Sequence, residues 1–142
     1  MKPVALYYDI LQYQVENLQK LHQHFEVVKL ESPKCDTSTI LSTIDVLFAP
    51  LGFKVDKEKI EKCKSLKVIV SNTTGHPHID VEFAHQKGIY VACLKFAPEF
   101  LTTITPTAEH TWGLILALVR NLVPAYESVR EGKWDRRPFG AQ

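Results

Sequence analysis

The sequence predicts an α/β fold of three layers, with a five-stranded parallel sheet between helices, followed by a long apolar helix. Two patterns predict this architecture. Up to about residue 93, short runs of β-branched and aromatic residues alternate with amphipathic stretches, as in successive βαβ units. After Leu94 the alternation stops: an irregular stretch is predicted over residues 95–105, and a largely apolar stretch follows it. The length of 142 residues suits one such domain with a short appendage.

The five strands are predicted where apolar, mostly β-branched runs are too short for buried helices. They cover residues 4–8, 25–30, 46–49, 67–70 and 89–93. Strands that alternate with helices at this spacing form parallel sheets with right-handed crossovers. We therefore expect a flavodoxin-like domain over residues 1–100.

Four helices are predicted between these strands. Apolar residues recur at helical spacing from Leu11 to His22, and residues 37–43 form a shorter segment. The other two helices have N-capping aspartates, Asp56 and Asp80, whose carboxylates can accept the first free backbone N–H groups. Gly88 is placed to end the fourth helix, because glycine readily adopts the left-handed conformation there.

The final helix is predicted over residues 106–123. Thr105 suits the N-cap and Pro106 the first helical position, and Pro124 would break or kink the helix. Apolar residues cover nearly its whole circumference, whereas a surface helix needs only one apolar stripe. We therefore expect another domain or a partner subunit to cover it.

Composition excludes several classes of function. The net charge is +1, from 17 basic and 16 acidic residues, so neither nucleic acid nor an anionic membrane is an expected partner. No apolar run reaches the 18 to 20 or so residues of a membrane span, and the first residues do not resemble a secretory signal. Three widely spaced cysteines favour a reducing cytoplasm over a disulfide framework.

Paired histidines raise the question of a metal site. The two HxH motifs comprise His22 with His24 and His76 with His78. Zinc usually takes three or four protein ligands, and spacing fixes no third ligand near either pair. We expect solvated histidines at a helix end and in a turn, and no metal.

The second half of the sequence resembles a known enzyme family. The segments that carry the likeness are Val68 to Gly75, Ile79-Asp80, Ala84 to Val91, Thr107-Ala108-Glu109-His110-Thr111 with the helix that follows, and Gly132 to Arg136. Together they resemble the D-isomer-specific 2-hydroxyacid dehydrogenases, the family of phosphoglycerate, D-lactate and formate dehydrogenases. Residues 1–66 agree with the family in the order of strands and helices.

The resemblance implies oxidation of a D-2-hydroxy acid to the 2-oxo acid, or the reverse, with NAD or NADP. Backbone N–H groups in the turn after the fourth strand would hold the substrate carboxylate, and a loop after the third strand would lie at the same edge. The implied substrate-binding residues are Asn72, Thr73, Thr74, Gly75, Leu51 and Gly52. Thr105 and Thr107 would touch the nicotinamide end of the cofactor, or serve only to cap the helix.

The resemblance also implies a homodimer, with residues 101–142 forming a linker and dimerisation helix that leads to a Rossmann NAD-binding domain absent from this sequence. The implied interface residues are Trp112, Ile115, Leu116, Val119 and Trp134. The sequence contains no GxGxxG loop. The family's catalytic residues have no counterpart in this chain, so we expect an N-terminal portion that is inactive alone. The alternative is a stand-alone flavodoxin-like binding or dimerisation module.

Overall fold

A computed structural model describes residues 1–140. The chain divides into two compact units, the first from Met1 to Pro98 and the second from Glu99 onward. The first contains the sheet and its helices, and the second is helical.

The first unit is built on a five-stranded sheet, as predicted. All neighbouring strands pair in parallel, and their order across the sheet is β2-β1-β3-β4-β5. This register brings the carboxyl ends of β3 and β4 side by side, since Phe48 pairs with Val70. The strands are β1 (Val4–Tyr8), β2 (Glu26–Leu30), β3 (Val46–Phe48), β4 (Val68–Ser71) and β5 (Tyr90–Cys93).

Helices α1 (Val15–His24), α2 (Ser38–Thr43), α3 (Lys57–Lys62) and α4 (Val81–Gln86) lie between the strands. The predicted caps are confirmed: Asp56 accepts from the Lys59 N–H at 3.0 Å, and Asp80 from the Phe83 N–H at 3.0 Å. Gly88 follows α4 with a φ of +73°, a conformation that strains any residue with a Cβ.

Apolar side chains pack on both faces of the sheet, as a three-layer domain requires. Successive residues of β1 point to opposite faces. On one face, Leu6 and Tyr8 belong to a cluster with Leu41 of α2 and Ile60 of α3. On the other face, Ala5 belongs to a second cluster, which includes Leu21 of α1.

The second unit corrects one prediction. The apolar helix is not continuous over residues 106–123, because α6 (Pro106–Val119) ends four residues early and α7 (Leu122–Arg130) follows. Asn121 adopts a left-handed conformation, with φ 51° and ψ 38°, which asparagine tolerates better than most residues. Pro124 does not break a helix, because it lies in the first turn of α7, where a missing N–H costs little.

The chain segment before α6 is less irregular than predicted. It contains a 3-10 turn at Leu94–Phe96 and a short helix, α5 (Pro98–Leu101). Within residues 1–140, no helix combines the length and apolarity needed to cross a membrane.

Candidate active site edge

The two loops implied to bind substrate meet at one edge of the sheet. Residues 49–55 follow β3 and residues 72–79 follow β4, and carboxyl ends of parallel strands lie together. Two backbone hydrogen bonds join the loops: the Val55 N–H donates to His78 O at 2.7 Å, and the Asp80 N–H donates to Val55 O at 2.9 Å. Such an edge is where open α/β sheets bind ligands.

The turn formed by residues 72–75 has free hydrogen-bond donors. Within residues 1–140, no protein acceptor receives the backbone N–H of Thr73, Thr74, Gly75 or His76. Thr74 and Gly75 are exposed, so water or a ligand can reach them. Free backbone N–H groups in a turn can bind an anion.

Asn72 is held by a side chain that the sequence analysis did not single out. The Tyr13 hydroxyl donates to Asn72 Oδ1 at 3.0 Å, which leaves the amide nitrogen of Asn72 with its two donors. Tyr13 is fixed in turn, because its N–H donates to the Tyr7 hydroxyl at 3.0 Å and its ring packs on Phe48. Burial raises the pKa of Tyr13 to about 12, so the hydroxyl keeps its proton near neutral pH.

His78 corrects the expectation of a solvated histidine. Its residue surface is only 8% exposed. The chain is buried here because the next residue, Ile79, packs in the core directly before the Asp80 cap of α4. Nε2 of His78 lies 3.2 Å from Ser71 Oγ, and Nδ1 is buried with no hydrogen-bond partner among residues 1–140.

Hydrogen bonds continue from His78 into the turn. Ser71 Oγ lies 2.8 Å from Thr73 Oγ1, which donates to the Gly75 carbonyl at 2.5 Å. We call these groups the His78 network: the side chains of His78, Ser71 and Thr73, and the Gly75 carbonyl. Burial lowers the pKa of His78; the Ala49 backbone opposes this shift in part and His76 adds to it. His78 is therefore neutral at neutral pH.

Apolar side chains surround the turn. Leu51 is 63% exposed, and the next residue, Gly52, has a φ of +89° that disfavours any side chain. The rings of His76 and Phe96 are stacked, with centroids 6.5 Å apart and an interplanar angle of 17°. Phe96 is exposed, so it does not belong to the core. Phe96 and His76 together give one side of the turn an aromatic surface.

A second polar cluster lies at the carboxyl end of β1, and the sequence analysis did not identify it. The Tyr8 hydroxyl donates to Asp36 Oδ1 at 2.7 Å, Lys59 Nζ lies 2.6 Å from Asp36 Oδ2, and Lys59 Nζ donates to the Tyr8 hydroxyl at 3.1 Å. We call these three side chains the Tyr8 network. Burial, followed by the bond to Asp36, raises the pKa of Tyr8, which keeps the hydroxyl neutral.

The implied cofactor-contacting residues lie in the second unit. Thr105 occupies the N-cap position of α6, but its backbone is helical, with φ −100° and ψ −14°, and its side chain makes no capping bond. Its hydroxyl donates instead to the carboxylate of Glu109. Thr107 lies in the first turn of α6, where its carbonyl accepts from the Thr111 hydroxyl at 2.8 Å.

The implied interface residues are also in the second unit, and all are exposed. Trp134 is 89% exposed, beyond the end of α7. Trp112, Ile115, Leu116 and Val119 lie on α6, where Leu114 and Leu118 are exposed as well. An apolar surface of this extent is typical of an interaction site.

No group of three or more histidine, cysteine, aspartate or glutamate side chains within residues 1–140 is arranged to hold a metal ion. The cysteines in the same range form no disulfide. Burial raises the pKa of the Cys63 thiol to about 11, so this residue is an apolar core side chain and not a nucleophile.

Comparison with known proteins defines the class. The family model described as "D-isomer specific 2-hydroxyacid dehydrogenase, catalytic domain" matches residues 4–114. The chain therefore belongs to the D-isomer-specific 2-hydroxyacid dehydrogenase family, an oxidoreductase family.

Two curated relatives illustrate the similarity. A glyoxylate reductase of Thermococcus kodakarensis is 32% identical over 124 residues, which cover 84% of this chain and 36% of the relative. A D-3-phosphoglycerate dehydrogenase of Methanocaldococcus jannaschii is 43% identical over 95 residues, which cover 67% of this chain and 17% of the relative. The chain thus matches about a third or less of these relatives' length.

Solved structures share the fold. The PH0520 protein of Pyrococcus horikoshii superposes with a TM-score of 0.68 at 27% identity, over 95% of this chain and 39% of the other. A D-lactate dehydrogenase of Aquifex aeolicus, solved with NAD and lactic acid, superposes with a TM-score of 0.76 at 21% identity, over 98% of this chain and 40% of the other.

Proposed function

We propose that this chain is the substrate-binding portion of an NAD(P)-dependent D-2-hydroxyacid dehydrogenase, which interconverts a 2-hydroxy acid and its 2-oxo acid. The observation that carries the proposal is the row of backbone N–H groups from Thr73 to His76 that have no acceptor among residues 1–140, beside the Asn72 amide at the carboxyl edge of the sheet. The family membership of residues 4–114 supports it.

Each loop has a role in this proposal. The N–H groups of Thr73, Thr74 and Gly75 bind the substrate carboxylate, and the Asn72 amide nitrogen adds a side-chain donor. Leu51 and Gly52 shape the pocket for the substrate's side chain, with Leu51 supplying apolar surface and Gly52 leaving space. Holding the acid in a fixed orientation in this way contributes to the rate by positioning.

The cofactor, when bound, supplies the hydride chemistry at the substrate's C2. The sequence has no glycine-rich loop of the GxGxxG type, and we assign no catalytic acid, base or arginine to this chain. Thr105 and Thr107 are proposed to lie near the nicotinamide, although the Thr105 hydroxyl is already bonded to Glu109. The chain alone is therefore expected to be inactive, and we place it in the cytoplasm, where its three free cysteines stay reduced.

Titration with oxamate, an unreactive analogue of a small 2-oxo acid, tests the binding role. We expect saturable changes in the backbone amide signals of Thr73 to His76 in two-dimensional NMR spectra, with signals of α1 unchanged. Acetamide, which lacks the carboxylate, is the control and should leave the turn signals in place. Oxamate-induced shifts elsewhere but not in the turn would contradict the proposal. So would NADH formation by this chain alone with any 2-hydroxy acid, since that requires catalytic groups that we do not assign to it.

We also propose that the exposed face of α6 forms a homodimer contact, with Trp112, Ile115, Leu116 and Val119 at its centre and Trp134 beside them. The support is the exposure of apolar side chains on all sides of α6, which a second copy would remove from water. Light scattering should give twice the monomer mass, and Leu116→Glu should halve it while Glu127→Gln on α7 does not. A monomeric wild type would favour a stand-alone module.

A further inference from the structure

His78 belongs to the loop after β4 and contacts the loop after β3. Its carbonyl accepts from the Val55 N–H, which ties it to the loop that carries Leu51 and Gly52. Its ring reaches Ser71, the last residue of β4, and through it the turn. His78 therefore links the loop after β3, through its backbone carbonyl, to the carboxylate-binding turn that we propose, through its ring.

The direction of the hydrogen bonds in the His78 network follows from counting protons. A carbonyl can only accept, so the single hydroxyl proton of Thr73 is used on Gly75. Ser71 must then donate to Thr73, because the Thr73 hydroxyl has no second proton for the 2.8 Å contact. Ser71 has no proton left for His78, so the proton between them belongs to His78 Nε2.

The opposite tautomer breaks this arrangement. If Nδ1 carried the proton, Nε2 would accept from Ser71, and Thr73 would have one proton for two acceptors, Ser71 and Gly75. One link of the network would then be lost. The hydrogen bonds of the network therefore assign neutral His78 its proton on Nε2. Nδ1 is buried and makes no hydrogen bond among residues 1–140.

We propose that His78 is a positioning residue of the oxo-acid site: its Nε2–H holds Ser71 and Thr73 so that the Gly75 carbonyl is fixed and the turn's N–H groups stay free for a carboxylate. This inference rests on the proposed function. The unpartnered Nδ1 favours it over a purely structural role, because a buried acceptor without a donor destabilises the fold and an apolar side chain would avoid that cost.

Two substitutions separate the roles. His78→Gln places an amide N–H donor near the position of Nε2, whereas His78→Leu fills the space with no donor. Leucine also removes the unpartnered acceptor, so the fold should lose little stability while the network loses its first donor. Thr73→Val breaks the network one link further along and leaves His78 in place, and it serves if His78→Leu does not fold.

The first measurement is ¹⁵N NMR of the imidazole in the 142-residue chain, with the His78 signal assigned by its absence from His78→Gln. We expect a protonated Nε2 and an unprotonated Nδ1 at neutral pH. A protonated Nδ1 in place of Nε2 would overturn the proposal.

The second measurement is the mobility of the turn. Backbone order parameters at Thr73 to Gly75 should be near the rigid value of about 0.85 in wild type and His78→Gln, and below about 0.6 in His78→Leu and Thr73→Val. Order parameters that stay high in both network-breaking variants would contradict the proposed role.

The third measurement is oxamate affinity by amide-signal titration. His78→Leu should weaken binding about tenfold, the size of one hydrogen bond, while His78→Gln stays close to wild type. Equal affinities of the leucine and glutamine variants would contradict the role of the Nε2–H. If wild type binds no oxamate, the proposed function fails, and the tautomer and the order parameters still decide whether His78 holds the turn.

Discussion

The Tyr8 network and the His78 network both lie where a strand of the same sheet ends, but they differ in completeness. In the Tyr8 network every polar side-chain atom at the centre has a partner within 3.1 Å, and Lys59 and Asp36 side chains are only 11% and 13% exposed. The His78 network has an unpartnered nitrogen at one end and leads at the other into a turn with free N–H groups. A closed network stabilises the fold, whereas an open one retains groups that a ligand can use.

The two networks also differ in charge. The Tyr8 network contains a mostly buried ion pair, in which each charge is compensated only while the other is present. The His78 network is neutral, because burial lowers the pKa of its only titratable side chain. A carboxylate arriving at the turn therefore meets N–H dipoles and no competing anion within the network.

The largest effect on stability is expected when one side chain of the Tyr8 network is removed. Asp36→Ala leaves the mostly buried Lys59 ammonium without its partner and removes the acceptor of the Tyr8 hydroxyl. We therefore expect a loss of about 3 kcal/mol in the free energy of unfolding, the lower end of the range for buried pairs. Urea denaturation followed by circular dichroism measures it.

The matched control is Asp9→Ala. Asp9 pairs with Lys29 at 2.8 Å, but both side chains are about half exposed, so its loss should cost less than about 1 kcal/mol. Replacing both buried charges, with Asp36→Leu and Lys59→Met together, should restore much of the stability that Asp36→Ala loses. Equal effects of Asp36→Ala and Asp9→Ala would show that the Tyr8 network is not a closed buried unit.

Neither network was predicted from the sequence, although the helices and strands around them were. Short-range signals predicted the elements well: Asp56 and Asp80 cap helices through N–H groups three residues away. The Tyr8 network joins Tyr8 to Asp36 and Lys59, which are 28 and 51 residues distant. Such pairs depend on strand order and helix placement, which side-chain periodicity does not specify.

The candidate site shows the same division. The edge position of the 72–75 turn and of Leu51 followed from their places directly after two predicted parallel strands, and the resemblance to the family supplied their proposed role. The support of the turn by Tyr13 and His78 did not follow, because Tyr13 lies 59 residues from Asn72 and the HPH motif gives no sign that only its second histidine is buried. The early end of α6 was missed for a local reason, since Asn121 can be helical or left-handed.

An intermediate effect is expected for Tyr13, which holds Asn72 at the start of the turn. Tyr13→Phe keeps the ring packing against Phe48 but removes the hydroxyl that orients the Asn72 amide. Oxamate binding should weaken by about threefold to tenfold, the range of a single hydrogen bond, while the unfolding free energy changes by less than about 1 kcal/mol. Tyr126→Phe, on exposed α7, is the control and should change neither quantity. A loss of stability with no loss of oxamate affinity would show that Tyr13 stabilises the fold, as the Tyr8 network does, and does not support binding.

The smallest effect is the pH dependence contributed by His78. Because burial lowers its pKa below 6.5 in the folded state, the unfolded chain takes up this proton more readily than the folded chain does. Stability from His78 is therefore complete above about pH 6.5 and declines as the pH falls from there toward the folded pKa. The lowered pKa of Asp45, which Lys67 and the Val4 N–H stabilise as a carboxylate, contributes in a separate window below about pH 4.

Urea midpoints measured between pH 7 and pH 5 should fall in wild type and fall less in His78→Gln, whereas His85→Gln, on the exposed face of α4, should follow wild type. If the urea midpoints of all three proteins depend on pH in the same way, His78 is protonated as easily in the folded chain as in the unfolded one. The claim that burial keeps the His78 network neutral would then be wrong.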